Sequence, residues 1–100
     1  MADNRLINRM GRPVSGKLER KTDTTGEALG AAITELRVKK GWGYEEVAHK
    51  VGCNPGYMSD IERGKKNPSL KIIQAIADVH EIKLSKLFAL AERKYERGRR

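Results

Sequence analysis

The sequence predicts an all-α protein with one small domain. Apolar residues recur at helical spacing through residues 27–91, and capping and breaking residues divide that stretch into five segments. No segment alternates polar and apolar residues for long enough to form a strand. One hundred residues with 38% hydrophobic content can bury one modest core. We therefore expect a folded domain over residues 24–91, with its two ends outside it.

The first predicted helix begins at a capping box and ends at glycines. Thr24 and Glu27 have the N-cap and N3 spacing of that motif. An apolar stripe follows, and Gly41 and Gly43 then end the helix around Trp42. The stripe consists of Leu29, Ile33 and Leu36, followed by Lys40.

The next two predicted helices are short and closely spaced. One covers Tyr44 to Val51 and ends at Gly52, a residue suited to a left-handed C-cap. The other begins at Asn54-Pro55, an N-cap residue followed by proline at N1, and runs to about Arg63. The short connection is typical of a helix-turn-helix, although spacing alone also allows an ordinary helical hairpin.

Two more helices complete the predicted domain. Ser69 is the expected N-cap of the fourth, which runs through Asp78 with Leu70, Ile73, Ile76 and Ala77 as its apolar residues. The fifth begins near Leu84 and carries Leu87, Phe88 and Ala91. Together these segments give a five-helix domain.

The charge distribution favours an anionic partner. The net charge is +8, and most of the excess lies at the two ends: +3 in residues 1–26, +2 in 27–91 and +3 in 92–100. We expect a basic, flexible arm over residues 1–23 and a basic tail over 92–100, both able to contact phosphates. The alternative is that the ends serve only solubility or are a remnant of cloning.

Other classes of protein find no support in the sequence. Cys53 is the only cysteine, His49 and His80 lie far apart, and no carboxylate cluster or Ser/His/Asp set is present. We therefore expect no enzyme activity, no metal and no cofactor. No apolar run approaches the roughly 20 residues that span a bilayer, so we expect a cytoplasmic, nucleoid-associated protein without a membrane partner.

The middle of the chain resembles the Cro/repressor-type (Xre) helix-turn-helix family. The resemblance extends from residue 27 to about 88, and its most specific part is the run Tyr57-Met58-Ser59-Asp60-Ile61-Glu62-Arg63-Gly64-Lys65-Lys66-Asn67-Pro68-Ser69. It implies a lambda-repressor-like domain with basic N- and C-terminal extensions and a helix-turn-helix at about 44–63. The recognition helix, 55–63, would then lie in the major groove of double-stranded DNA.

The same resemblance implies a role for individual residues. The base-reading positions are Pro55, Gly56, Tyr57, Ser59 and Asp60, and the phosphate-contacting positions are Tyr44, Asn54, Arg63, Lys65 and Lys66. Two alternatives stay open: Tyr57 only covers the edge of the domain, and Asp60 only caps the helix or pairs with a nearby lysine. The matched positions also imply a buried ion pair between Arg37 and Glu62. Apolar residues of the fifth helix, Leu84, Leu87 and Phe88, are the candidates for a dimer interface.

Three positions depart from the family pattern. Tyr44 replaces the usual Gln, Gly43 replaces Ser or Thr and weakens an N-cap, and His80 replaces a core Leu. The leading functional hypothesis is a bacterial or phage transcriptional regulator, a homodimeric repressor on a pseudo-palindromic operator. The alternative is an antitoxin or adaptor whose main role is binding a small protein partner.

Overall fold

The computed structural model describes residues 23–98, which form five helices and no strand. The helices are α1 (Asp23–Lys40), α2 (Tyr44–Val51), α3 (Pro55–Glu62), α4 (Leu70–Val79) and α5 (Leu84–Gly98). This arrangement confirms the predicted all-α class. The expected arm over residues 1–23 lies almost entirely outside the described residues.

Local sequence signals set most of the helix boundaries. Gly41, at φ 76°, ends α1, and the next N–H, from Trp42, donates to the Arg37 carbonyl at 3.0 Å. This is the bond of a Schellman cap, which needs a left-handed residue that glycine adopts without strain. Ser69 caps α4, because its hydroxyl oxygen accepts a hydrogen bond from the Ile72 N–H at 3.2 Å.

The structure differs from the sequence prediction at three places. The helix α1 already includes Asp23, so Thr24 lies within it and is not the N-cap. The helix α5 continues to Gly98, so residues 92–98, expected in a basic tail, are helical. Leu70 was expected among the apolar residues of α4, but as its first residue it is 64% exposed.

The core is shared by all five helices. Its largest fully buried side chains are Ile33, Val47, Met58, Ile61, Ile76 and Leu87. The helix α5 packs along α1, while α3 packs against both α1 and α2. The helices α2 and α3 therefore carry the candidate functional site, and α1 packs behind α3 as its support. None of the helices in residues 23–98 is long and apolar enough to cross a membrane.

Candidate nucleic-acid interface

The connection between α2 and α3 is a tight turn of three residues. Gly52 adopts φ 91°, and the N–H groups of Gly52 and Cys53 both donate to the Ala48 carbonyl, at 2.8 and 2.9 Å. Ala48 itself is fully buried and small, which allows α3 to approach α2 closely. Because the turn is hydrogen-bonded to α2 and the two helices pack against each other, they form one unit.

The N-terminus of α3 is held by Asn54. Its side-chain oxygen accepts hydrogen bonds from the N–H of Gly56 at 2.6 Å and of Tyr57 at 3.4 Å, and Pro55 occupies N1. Asn54 is exposed, and within residues 23–98 its side-chain NH₂ group donates to no acceptor. The same side chain can thus cap the helix and still donate to an anion in front of it.

One face of α3 is buried and the opposite face is presented to solvent. Met58 and Ile61 point into the core and are at most 1% exposed. Because each residue turns a helix by about 100°, Gly56, Ser59 and Arg63 project from the opposite side. Gly56 and Arg63 are exposed, and Ser59 is half-buried. The outer face therefore carries small and polar groups, as a surface that approaches base edges requires.

Asp60 and Arg63 engage each other on this face. The Asp60 Oδ1 atom lies 3.0 Å from Arg63 Nη2, in an i,i+3 ion pair whose side chains are 30% and 59% exposed. The sequence left open a pairing of Asp60 with a lysine, and the partner is instead Arg63. A residue expected to read bases and one expected to bind phosphate thus form one unit, in which the carboxylate orients the guanidinium.

The other predicted contact residues surround α3. Tyr57 is half-buried and packs against the core, while Pro55 is exposed. Tyr44 is 38% exposed at the start of α2, where Gly43 provides no side-chain cap. Beyond α3 the loop carries two exposed lysines, Lys65 and Lys66. All of these except the body of Tyr57 are accessible to solvent.

A polar network joins the C-terminal end of α3 to α1. Arg37 binds Glu62 through two parallel contacts, Nε to Oε2 at 2.7 Å and Nη2 to Oε1 at 3.0 Å. The Thr34 hydroxyl lies 3.0 Å from Glu62 Oε1 and 2.9 Å from the Gly30 carbonyl, and its one hydrogen can donate to either. Arg37 Nη1 also donates to the Trp42 carbonyl at 3.1 Å. The Glu62 carboxylate, through these hydrogen bonds, raises the pKa of the Arg37 guanidinium.

Sequence reasoning missed the glycines that allow this close contact. A Cβ atom at Gly30 would lie 2.3 Å from the Glu62 carbonyl oxygen, so α1 and α3 cross with no room for a side chain there. A Cβ atom at Gly64, where φ is 77°, would lie 3.0 Å from the Glu27 backbone. The signal in the sequence was the pair Gly26 and Gly30, four residues apart and therefore on one face of α1.

His80 is buried behind the helix-turn-helix. The residue is 4% exposed, and neither ring nitrogen has a hydrogen-bond partner among residues 23–98. The ring lies 5.3 Å from that of Trp42, which also has Lys40 and Lys50 over it at 5.4 and 4.8 Å. Burial, and then the charge of Lys40, lower the pKa of His80 below its usual value of 6.5. The imidazole is therefore neutral at physiological pH.

The predicted dimer residues separate into three environments. Leu87 is fully buried in the core of its own domain, so its assignment to a dimer interface is wrong. Leu84 is half-buried and also packs against that core. Phe88 is 41% exposed and borders a groove of about 370 Å³ between α1 and α5, which we call groove 1. Its other lining residues are Thr25, Ala28, Leu29, Ala91, Glu92 and Tyr95.

No group of histidine, cysteine and carboxylate side chains within residues 23–98 is arranged to hold a metal ion. The fold and the geometry of α2 and α3 are those of a helix-turn-helix protein.

Comparison with known proteins agrees with this geometry. The profile of the family described as Helix-turn-helix matches residues 33–88. The ImmF control region 10 kDa protein of Bacillus phage phi105 is 34% identical over 78 residues, which cover 73% of this chain and 87% of that protein. The transcriptional regulator ClgR of Mycobacterium tuberculosis is 34% identical over 59 residues, 59% of this chain but only 53% of the regulator.

Solved structures give the same result. The clp gene regulator ClgR from Corynebacterium glutamicum superposes with a TM-score of 0.69 at 29% identity, over 72% of this chain and 77% of that one. The restriction-modification controller protein C.AhdI from Aeromonas hydrophila superposes with a TM-score of 0.59 at 34% identity, over 61% and 92%. The chain belongs to the Xre-type helix-turn-helix family of DNA-binding transcriptional regulators.

Proposed function

We propose that this protein is a repressor that binds a short pseudo-palindromic operator as a homodimer, acting on cytoplasmic DNA of a bacterium or phage. One observation carries the proposal. The helix α3 buries Met58 and Ile61, fixes both of its ends with side-chain hydrogen bonds and presents its outer face to solvent. A helix held in this way keeps its position and orientation when it enters a major groove.

In this proposal the outer face of α3 reads base edges. Ser59 can donate to or accept from several bases, and Asp60 can accept from the amino group of cytosine. The Asp60–Arg63 pair adds a guanidinium that can reach either guanine or a neighbouring phosphate. Pro55 and Gly56 have no polar side-chain atoms, so they allow close approach and can contact a thymine methyl. Tyr57 lies at the border, half-buried, where its hydroxyl can extend toward the backbone.

Phosphate contacts come from the residues that surround α3. Asn54 has its side-chain NH₂ group available in front of the helix N-terminus, a position that favours anions. The exposed Lys65 and Lys66 lie beyond its other end, and Tyr44 begins α2. These contacts fix orientation and add affinity that depends on salt, without reading sequence.

The dimer proposed here forms through groove 1. Phe88 is a large exposed apolar side chain beside a groove that is lined mainly by apolar residues, and such a patch is typical of an interface. In a twofold arrangement the Phe88 of each copy would enter groove 1 of the other. Because α5 and α3 pack on opposite sides of α1, this arrangement leaves both recognition helices free.

The distances are compatible with two half-sites. From α3 through α1 and α5 of one copy to α3 of the other there are five helix-to-helix steps of about 8–10 Å each. A straight path would give about 40–50 Å, so the path in the proposed dimer must bend for the recognition helices to reach half-sites about 34 Å apart.

The test begins by selecting the operator from random double-stranded oligonucleotides. Ser59→Ala should weaken binding to the selected operator by about 5- to 150-fold, the equivalent of about 1–3 kcal/mol, and leave binding to scrambled DNA unchanged. Lys65→Ala with Lys66→Ala should weaken binding to both DNAs and lower the salt slope by roughly 0.9 for each phosphate that the protein no longer neutralises. Fluorescence anisotropy at three salt concentrations measures both effects.

The matched control is Ser85→Ala, which removes an exposed hydroxyl from α5. It should leave both affinities unchanged. Recovery of no common sequence from the selection, or equal losses for Ser59→Ala on operator and scrambled DNA, would contradict sequence reading by α3.

A further inference from the structure

We propose that a second groove between α1 and α5, which we call groove 2, docks an acidic amphipathic helix of a partner protein. Groove 2 has a volume of about 630 Å³. Its lining residues are Glu35, Leu36, Lys39, Ile82, Ser85, Lys86, Ala89, Leu90 and Arg93. The proposal goes beyond DNA binding and assigns a class of partner to a separate surface.

The floor of groove 2 is apolar. Leu36, Ile82 and Leu90 are half-buried and pack against the domain core, so each presents only part of its side chain to solvent. Ala89, which is small and exposed, also lines the groove. An apolar strip that includes a small residue accepts the apolar side chains of a helix, spaced three and four residues apart.

The rim of groove 2 is basic. Lys39, Lys86 and Arg93 are all exposed, and the latter two form no ion pair with any residue in 23–98. The one carboxylate of the rim, Glu35, is already paired: Lys94 Nζ lies 2.6 Å from one oxygen and Lys39 Nζ 3.6 Å from the other. The hydrogen bond from Lys94 lowers the pKa of the Glu35 carboxyl. The carboxylate therefore stays ionised, and the two lysines beside it offset its charge. An occupant with carboxylates along its edges complements this rim.

DNA is not the favoured occupant of groove 2. Thr34 and Arg37 contact Glu62 of α3, and at about 100° per residue Glu35 and Lys39 lie on roughly the opposite side of α1. A DNA duplex bound to α3 therefore cannot reach this rim. Phosphates also gain nothing from the apolar floor, whereas the apolar face of a helix does.

The charge of this chain argues against its own N-terminal segment as the occupant. Residues 1–22 contain six basic and two acidic side chains, so they would be repelled by Lys86 and Arg93. A second copy is better suited to groove 1, where Phe88 lies. An acidic helix from another protein is the occupant that matches both floor and rim.

The experiment selects displayed random 16-residue peptides on the full chain and counter-selects on the double variant Lys86→Glu, Arg93→Glu. We expect enriched peptides with apolar residues three and four apart and an excess of Asp and Glu. A synthetic peptide of the consensus should bind the double variant about tenfold more weakly or worse. The backbone amides of the protein whose NMR shifts change on peptide addition should map to groove 2. The protein with bound peptide should still bind DNA.

The matched control is Lys50→Glu, Lys71→Glu, which makes the same charge change at exposed sites outside the groove. It should retain peptide binding, and circular dichroism should show that both double variants fold. A consensus peptide with its Asp and Glu replaced by Lys should not bind. The proposal is overturned if no peptide depends on Lys86 and Arg93, if the enriched peptides are basic or lack apolar spacing, or if shifts map to groove 1 or α3.

Discussion

Among single residues, His80 stands out because it is a polar, titratable side chain in a buried position. Burial removes the hydrogen bonds of the ring to water, and the part of the chain that the structure describes provides no partner for either nitrogen. Such a loss costs about 1–3 kcal/mol. The stacking on Trp42 offsets part of that cost, since the contact between the two rings is favourable.

We expect His80→Leu to stabilise the domain and to remove part of its sensitivity to acid. The pKa of His80 is lowered in the folded state, so the unfolded chain binds a proton more readily below pH 6.5. As far as this titration is concerned, the free energy of unfolding is highest above that pH. It decreases as the pH falls from 6.5 toward the folded-state pKa of His80. Denaturant unfolding at pH 7.5, 6.5 and 5.5 measures the difference between wild type and variant.

The control for this prediction is His49→Gln, which replaces an exposed histidine of α2. The gap in stability between wild type and His80→Leu should widen toward pH 5.5, and the gap to His49→Gln should not. A constant gap for His80→Leu at all three pH values would show that the titration of His80 is not linked to folding.

At the scale of elements, the orientation of α3 depends on how it is joined to α1. The Glu62 side chain is 8% exposed and that of Arg37 is 19% exposed, and their two-point contact restricts rotation of the guanidinium. The absence of a side chain at Gly30 brings the two helices close enough for this contact. The polar network and the glycine together set the angle at which α3 is presented.

We expect Glu62→Ala to destabilise the domain by about 3 kcal/mol, because it leaves the largely buried Arg37 charge without an opposite charge beside it. Removal of the exposed partner in the neighbouring pair, by Asp60→Ala, should cost about 0–1 kcal/mol. Thermal and denaturant unfolding of both variants provides the comparison. Addition of salt should change the stability of the Asp60 variant relative to wild type more than that of the Glu62 variant. Equal losses for both variants would refute a buried pair.

At the scale of the whole molecule, the two long helices α1 and α5 separate three surfaces. The outer face of α3 lies on one side of α1, and grooves 1 and 2 flank α5 on the other. The proposed dimer and the proposed partner would therefore leave the DNA-binding face of α3 accessible. We expect variants of one surface to leave the other two intact.

We expect Phe88→Glu to convert a dimer into a monomer, since it would place a charge in groove 1 of the partner copy. Sedimentation velocity at micromolar concentration, with and without operator DNA, measures the change. Leu70→Glu is the control, because Leu70 is 64% exposed and lies outside both grooves. Only monomer for the wild type with and without operator, or dissociation by both variants, would contradict an interface at Phe88.

The presence and order of the five helices, and the family, could be predicted from the sequence. The caps at Asn54 and Ser69, and the glycine at position 52, act within a few residues of themselves, so their effect on the backbone is readable without tertiary information. Met58 and Ile61 are three residues apart, and this spacing places both on one face of α3. The resemblance to a known family rested on these same local features.

How neighbouring side chains of one helix divide between core and surface depends on tertiary packing. Leu87 and Phe88 are adjacent apolar residues, and the docking of α5 on α1 buries the first and exposes the second. The same docking extends α5 to Gly98 and places Lys94 against Glu35, 59 residues away in sequence. Position 30 has no room for a side chain only because α3 passes so close to α1 there. Contacts of this kind join residues distant in the chain, so no local pattern specifies them.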